Sequence, residues 1–158
     1  MGIRKLVKVE VIAYGARRIE ADLLKVGMRS EALEPVWESL HEDLLAIERL
    51  QFESEGEHCE SGKWSPLSKK TRKPADAAGI LRSTDALFES LAETGPGHIW
   101  AAGRTGWLFG SNVPYGHFHA SGTSRMPKRP PISLTRTERA AILRKIRLYI
   151  TKGVVLPL

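Results

Sequence analysis

The chain has 158 residues, of which 42% are apolar and 27% are charged, and its formal net charge is +6. This length supports one hydrophobic core, so we expect a single domain over residues 1–158. The sequence has no apolar run of about 18 residues and no charged leader followed by an apolar segment, which argues against a membrane span and a secretory signal. The single cysteine, Cys59, has no partner for an internal disulfide, which fits a reducing compartment.

The positive charge lies in the second part of the chain. Residues 1–60 hold 8 lysines and arginines against 13 aspartates and glutamates, a net charge of −5, while residues 61–158 hold 16 against 5, a net charge of +11. A basic segment is typical of proteins that bind nucleic acid. Opposite charges on two parts of one chain also favour head-to-tail packing of identical subunits in a ring. Composition alone leaves both interpretations open.

The first 30 residues predict a strand and a short helix. Valines alternate with charged residues over 6–12, which indicates a half-buried strand. An amphipathic helix follows and is expected to end at Gly27, because glycine is a frequent helix stop. The apolar positions of this helix are Ile19, Leu23 and Val26.

A long helix over residues 34–54 is predicted to be the spine of the domain. Pro35 suits the first helical turn, where its missing N–H would have no intrahelical partner in any case. Apolar residues recur at helical spacing and predict one stripe that faces a sheet. The stripe consists of Val36, Trp37, Leu40, Leu44 and Ile47.

Residues 54–78 predict a long mobile loop with a rigid corner in its middle. The segment is rich in Glu, Gly, Ser, Lys and Pro and shows neither helical nor strand periodicity. Trp64 supplies a large anchor, Pro66 fixes its own φ angle, and Ser65 and Ser68 can bond to the local backbone. Because binding groups concentrate on loops that a rigid scaffold holds, this corner is the best candidate interface.

The middle of the chain predicts a short helix and then strands. The helix carries Leu81, Leu87, Phe88 and Leu91 and is stopped by the Gly-Pro-Gly of residues 95–97. Two strands over 98–102 and 107–110 are separated by a hairpin turn. A third run over 113–119 is expected to be an edge strand, because Pro114 cannot donate to a sheet.

The last helix has the clearest signals in the sequence. Thr135 and Glu138 form a capping box, and Gly153 follows the final turn. One face is apolar, with Ile142, Ile146, Tyr149 and Ile150, and the remaining face is basic, with Arg136, Arg139, Arg144, Lys145 and Arg147. The apolar tail 154–158 is expected either to pack back on the domain or to dock on a neighbour. The predicted fold is α+β, with an antiparallel sheet of about four strands against the long and C-terminal helices and with long projecting loops.

Histidines offer the one candidate for catalysis. On a strand, His117 and His119 would point to the same face and could share a metal with His98, as in a metal-dependent hydrolase. No cysteine or carboxylate lies nearby in sequence, so a hydrogen-bonding role for His119 is the favoured interpretation. Nucleophile elbows and phosphate loops are absent. We therefore expect that the protein is not an enzyme and that it binds neither a metal nor a cofactor.

Clustered cations next to aromatic rings favour contact with nucleic acid. Such cations could hold phosphates while Trp64 and Tyr115 stack on bases. No helix-turn-helix, zinc-finger or RNA-binding signature accompanies them. A basic nucleic-acid-binding protein is thus the alternative function. The cations are Lys69, Lys70, Arg72 and Lys73 in one segment and Arg125, Lys128 and Arg129 in another.

Four motifs occur in a fixed order between about Phe52 and Ile150. They are W-S-P-L-S-K-K-T from Trp64, I-L-R-S-T-D-A-L-F-E-S-L from Ile80, Y-G-H-F-H-A-S-G from Tyr115 and R-P at Arg129. In this order they resemble the phage virion morphogenesis family, the tail-completion or head–tail neck proteins of tailed phages and Mu-like prophages.

The resemblance implies a structural protein of virion assembly that completes the tail or joins head and tail within an oligomeric ring. It implies as partners other copies of the chain and tail tube, tail terminator or head connector proteins, with possible nonspecific contact with packaged DNA and none with a membrane. The expected location is the host cytoplasm during assembly and then the virion. The motif residues expected at the partner interface are Trp64, Pro66, Leu67, Ser68, Thr71, Arg72, Tyr115, Gly116, His119, Gly122, Arg129 and Pro130.

Overall fold

The computed structural model describes residues 16–69, 71 and 79–158, and the predicted strand over 6–12 lies outside them. The described part is α+β, as the sequence predicts. Its antiparallel sheet has two strands, where about four were expected. The elements in chain order are α1 (Ala16–Ser30), α2 (Glu34–Glu53), α3 (Ala86–Ala92), β1 (His98–Ala102), β2 (Trp107–Ser111), α4 (Gly116–Ser121) and α5 (Arg136–Lys152).

Helix α2 supports the rest of the fold, which confirms the prediction of a long central helix. Pro35 lies in its first turn, and four of the five predicted stripe residues are buried while Ile47 is half-buried. The N-terminal half of α2 packs with Ile142 of α5 and with the aromatic side chains of the β-hairpin. Its C-terminal end enters a second cluster, which consists of Phe52, Cys59, Trp64, Ile80, Leu87, Phe88, Leu91 and Ala92.

Strands β1 and β2 form the predicted hairpin. His98 pairs with Ser111 and Ala102 with Trp107. The N–H of Gly103 donates to the carbonyl of Gly106 at 2.8 Å and closes the turn. The turn also positions α2, because the N–H of Leu33, just before that helix, donates to the carbonyl of Arg104 at 2.8 Å.

Helix α5 begins with the predicted capping box. The N–H of Glu138 donates to the Thr135 hydroxyl at 3.2 Å, and the N–H of Thr135 donates to the Glu138 carboxylate at 2.7 Å. Gly153 ends the helix in the left-handed conformation. Lys145, which the sequence analysis placed on the exposed basic face, is instead buried, because its ammonium pairs with Asp43 of α2.

Two predicted helix bounds are wrong. Helix α1 passes through Gly27 and ends at Ser30, since one glycine costs a helix only about 1 kcal/mol relative to alanine. Helix α3 begins at Ala86, so Leu81, which was expected to lie on it, precedes it. Leu81 and Asp85 have φ angles of 65° and 53°, and such left-handed residues cannot continue a right-handed helix.

The segment 113–119 is also not an edge strand. Pro114 is followed by the short helix α4, which gives the segment local hydrogen bonds in place of a sheet partner. Of the apolar tail, Val155 packs back on the domain, while Leu156 and Leu158 remain 48% and 39% exposed, so docking on a neighbour stays a prediction. Leu156, Pro157 and Leu158 line a cavity of about 250 Å³ against α5.

Removal of the capping box should lower the stability of the protein measurably. Thr135→Ala removes the side chain that accepts from the Glu138 N–H, and we expect it to lower the free energy of unfolding by about 1 kcal/mol. Thr137→Ala is the matched control, because Thr137 is exposed on the same helix. Urea denaturation measures both variants, and equal stabilities would show that the cap contributes nothing.

Candidate functional site: a partner interface

The buried side chain of Arg129 joins three of the four sequence motifs. Its Nε donates to the carbonyl of Ser65 at 2.8 Å, and its Nη2 donates to the carbonyl of Pro66 at 3.1 Å. Its backbone N–H donates to the carbonyl of His119 at 2.8 Å. The Trp64 corner, helix α4 and the Arg129-Pro130 segment therefore meet at one point, which the sequence did not indicate.

The end of α2 builds the corner. Glu55 and Gly56 both have positive φ angles, 51° and 83°, which turn the chain sharply after the helix. The N–H of Trp64 then donates to the carbonyl of Glu55 at 2.9 Å. The indole lies directly over Gly56 and meets Phe52 edge-to-face with 5.5 Å between ring centroids. The rigid corner is thus held by the helix that precedes it.

Trp64 is a core residue, since only 3% of its surface is exposed. The indole therefore holds the loop in place, and the side chains available to a partner are its neighbours. Ser65 and Pro66 are exposed and Leu67 is half-buried. Ser68 and Thr71 are exposed and bond to each other through their hydroxyls at 2.6 Å, while Arg72 lies outside the described residues.

Arg129 is 4% exposed, and no ion pair joins it to a carboxylate in the described ranges. Burial lowers the pKa of its guanidinium. The residue is fixed from behind by Gln51 of α2, whose Nε2 donates to the carbonyls of Pro130 at 3.1 Å and Pro131 at 2.6 Å. A positive charge without an acidic partner thus lies just below the surface.

At two glycines of the third motif, a larger side chain would come into close contact with neighbouring atoms. A Cβ on Gly116 would lie 3.3 Å from Leu87, and one on Gly122, which has a φ of 74°, would lie 3.0 Å from the backbone nitrogen of Lys128. Tyr115 is exposed and packs edge-to-face on His119, with 5.9 Å between ring centroids. Burial and the charge of Arg129 lower the pKa of His119. The motif therefore joins α4 to the Arg129 segment.

The three histidines considered as metal ligands do not come together. His117 and His119 lie on a helix, where residues two apart point about 200° away from each other. His98 instead faces His41 of α2, with 2.9 Å between their Nε2 atoms, and its Nδ1 lies 2.7 Å from the carbonyl of Ser90. Within the described ranges, no three potential ligands are grouped as a metal site would require.

An open groove lies beside the corner, between residues 60–65 and 128–133. Its volume is about 570 Å³. Lys63 and Lys128 line it, together with Glu60 and serine side chains. The carboxylate of Glu60 already accepts from Arg136 at 3.3 Å and from Arg139. The groove therefore has a mixed polar and apolar lining, in which two lysines stand against one carboxylate.

Under this site lies a buried carboxyl group that the sequence did not reveal. Glu48 of α2 has no exposed surface, and neither of its oxygens has a hydrogen-bond partner among the described residues. Burial, with a contribution from the charge of Glu138, raises the pKa of Glu48 to about 9. Cys59 is also buried, and burial raises the pKa of its thiol to about 11. The thiol is therefore a poor nucleophile at neutral pH.

Comparison with family models, with curated proteins and with solved structures gives no match to this chain.

Because Trp64 lies close to Gly56, we expect a methyl group added at Gly56 to lower the free energy of unfolding strongly. A Cβ on Gly56 would lie 2.4 Å from the indole Cδ1. Gly62→Ala is the matched control, because Gly62 also has a positive φ, 77°, but open space around it. We expect the control to cost about 1–2 kcal/mol from backbone strain, and Gly56→Ala to cost about 1–3 kcal/mol more from overpacking. Equal losses in urea denaturation would contradict the packing of the corner.

Glu48 predicts a pH dependence of stability. Because its folded pKa of about 9 exceeds the ordinary value of 4.5, the folded chain holds a proton that the unfolded chain has released between these pH values. The free energy of unfolding should therefore fall as pH rises through this window, by up to about 1.4 kcal/mol per pH unit.

Glu48→Gln replaces the titrating carboxyl group with a neutral amide. The free energy of unfolding should then depend less on pH, and the protein should be more stable at about pH 8. Glu57→Gln, at an exposed position, is the control. Thermal melts across pH measure the difference between each variant and the unaltered protein. If the stability of Glu48→Gln and that of the unaltered protein change with pH in the same way, Glu48 is ionised in the folded state.

Proposed function

We propose that this protein is a structural component of a phage or prophage virion, which acts in assembly by completing the tail or joining head and tail. Copies of the chain form an oligomeric ring, and the ring contacts tail tube, tail terminator or head connector proteins. On this proposal the chain catalyses no reaction and works through binding alone.

The exposed apolar surface of α1 carries this proposal. Four large apolar side chains of the helix, Ile19, Leu23, Leu24 and Met28, are between 62% and 72% exposed. Every residue from Arg17 to Lys25 is exposed. An isolated helix of about 15 residues is marginal in water, so its stability depends on packing against another surface. Such a surface is what a neighbouring protein in an assembly would supply.

Helix α1 has a firm attachment at its C-terminal end. It contacts α5, and Arg29 donates to the carbonyl of Ile150 at 3.3 Å. Gly153 lies directly against the same guanidinium. The body of the domain can therefore hold α1 in a defined direction while its apolar side chains stay available to a partner.

A second copy of the chain suits this partner role. The opposite net charges of residues 1–60 and 61–158 favour contact between unlike surfaces of two copies. Contact between unlike surfaces repeats from one subunit to the next and closes into a ring when the rotation allows. Oligomers of this kind are the working form of the proposed assembly protein.

The packing of the motifs adds support to the phage resemblance. Three motifs meet at Arg129, and the fourth belongs to the same core, since Ile80, Leu87, Phe88 and Leu91 pack in the cluster that holds Trp64. The N–H of Ile80 also lies 3.3 Å from the carboxylate of Glu55, at the corner. One structural centre thus accounts for the occurrence of the four motifs in one chain.

Location in the host cytoplasm and then in the virion neck or tail follows from this function. Within the part of the chain that the structure describes, helices with the length and apolar character of a membrane span are absent.

Polar substitutions on α1 test the proposal. Leu23→Gln with Met28→Gln should weaken self-association, because both side chains would lose apolar contacts with a neighbour. Leu108→Gln is the control, since Leu108 is similarly exposed on β2. Sedimentation equilibrium across concentration should show a smaller mass for the α1 variant and an unchanged mass for the control. Identical masses for the α1 variant and the unaltered protein would contradict the role of α1.

A further inference from the structure

The groove beside the corner has more cationic than acidic side chains in its described lining. Among the described residues that line it, Glu60 is the one carboxylate, and it is engaged by two arginines of α5. Lys63 and Lys128 are exposed, and no ion pair joins either of them to a carboxylate of the described chain. Among the described lining residues, Lys63 and Lys128 stand against Glu60, and the buried Arg129 follows Lys128 in sequence.

Arg129 strengthens the positive potential of the groove. It lies in sequence between Lys128 and Pro130, which both line the groove, and it is almost completely buried. A charge in a medium of low dielectric constant interacts more strongly with a nearby opposite charge than one in water. Both the guanidinium and the two lysines therefore favour an acidic group at this position.

An acidic surface of suitable geometry lies on the outside of α2. Glu34, Glu38 and Glu42 follow one another at intervals of four residues and form one stripe on the helix. Glu38 and Glu42 are exposed, and neither forms an ion pair with a described cation. Their side chains are about 5–6 Å apart at Cβ, so two carboxylates are presented together.

The stripe cannot reach the groove of its own chain. Glu38 and Glu42 lie 14 and 10 residues before Phe52, which contacts Trp64 at the corner, and these separations are about 20 Å and about 15 Å along the helix axis. An α2 stripe that meets this groove therefore comes from another molecule. A second copy of this chain carries the stripe and the groove at separate positions, which gives a contact between unlike surfaces.

We propose that the groove of one copy binds the acidic stripe of α2 in the next copy, with Lys63 and Lys128 facing Glu38 and Glu42. This inference rests on the proposed function, because it specifies one contact within the ring. Nucleic acid is a weaker candidate for the groove. A nucleic acid bound in the groove would leave the acidic stripe without a role.

Reversal of the charges tests the pairing in the full chain. The groove variant is Lys63→Glu with Lys128→Glu, and the stripe variant is Glu38→Lys with Glu42→Lys. At about 0.1 M salt, where the Debye length is about 10 Å, each variant alone should self-associate at least about tenfold more weakly. An equimolar mixture should regain assembly, since each altered surface then meets an oppositely charged one.

Light scattering across concentration measures the assembly, and circular dichroism verifies that each variant is folded. Arg144→Glu with Lys152→Glu is the control, because it changes the net charge as the groove variant does, at exposed positions of α5. Its mass should equal that of the unaltered protein. Failure of the mixture to assemble would overturn the pairing, as would undiminished association of either variant alone.

The outcomes separate this inference from the function on which it rests. Groove and stripe variants that assemble normally, together with α1 variants that do not, would leave the ring in place and remove the proposed contact. A groove variant that loses affinity for a short DNA duplex without any change in mass would assign the groove to nucleic acid and overturn the inference. An unaltered protein that remains monomeric would overturn both.

Discussion

The structure depends on the buried guanidinium of Arg129. It donates to two carbonyls of the corner, at Ser65 and Pro66, while the N–H of the same residue binds the carbonyl of His119. Hydrogen bonds from a charged donor contribute about 1.5–3 kcal/mol each, and carbonyls left unpaired inside a protein are costly. One side chain therefore fixes the relative position of three segments that are distant in sequence. It also places a buried positive charge, which no carboxylate of the described residues pairs, beneath the candidate partner surface.

Helix α2 connects the fold with the proposed assembly role. Its buried side holds the corner through Phe52 and the Arg129 segment through Gln51, and its exposed side carries the acidic stripe. A subunit whose α2 is misplaced would thus lose both the shape of its groove and the stripe offered to the next subunit. In the proposed ring, the same helix would couple correct folding to assembly. Helix α1 would extend the contact surface with apolar side chains, which add affinity where charges mainly supply orientation.

The sequence predicted the elements whose signals are local. Pro35 and the apolar stripe defined α2, and the capping box of Thr135 defined the start of α5. Features that depend on tertiary packing were missed, because a polar residue such as Glu48 or Lys145 is ordinarily solvated and nothing in its neighbours reveals its burial. The residues of the candidate interface were named from the sequence, whereas their arrangement in space was not. Trp64 was expected to face a partner but fills the core, and the basic groove requires segments that are more than 60 residues apart.

Copies of this chain are proposed to bind one another through defined surfaces. Native mass spectrometry of the unaltered protein tests this proposal most directly, because the method resolves each oligomer by mass. The account predicts one dominant closed species at a whole-number multiple of 17.6 kDa, with weaker populations at higher salt. A spectrum that contains monomer alone, even at the highest concentration at which the protein stays in solution, would contradict it.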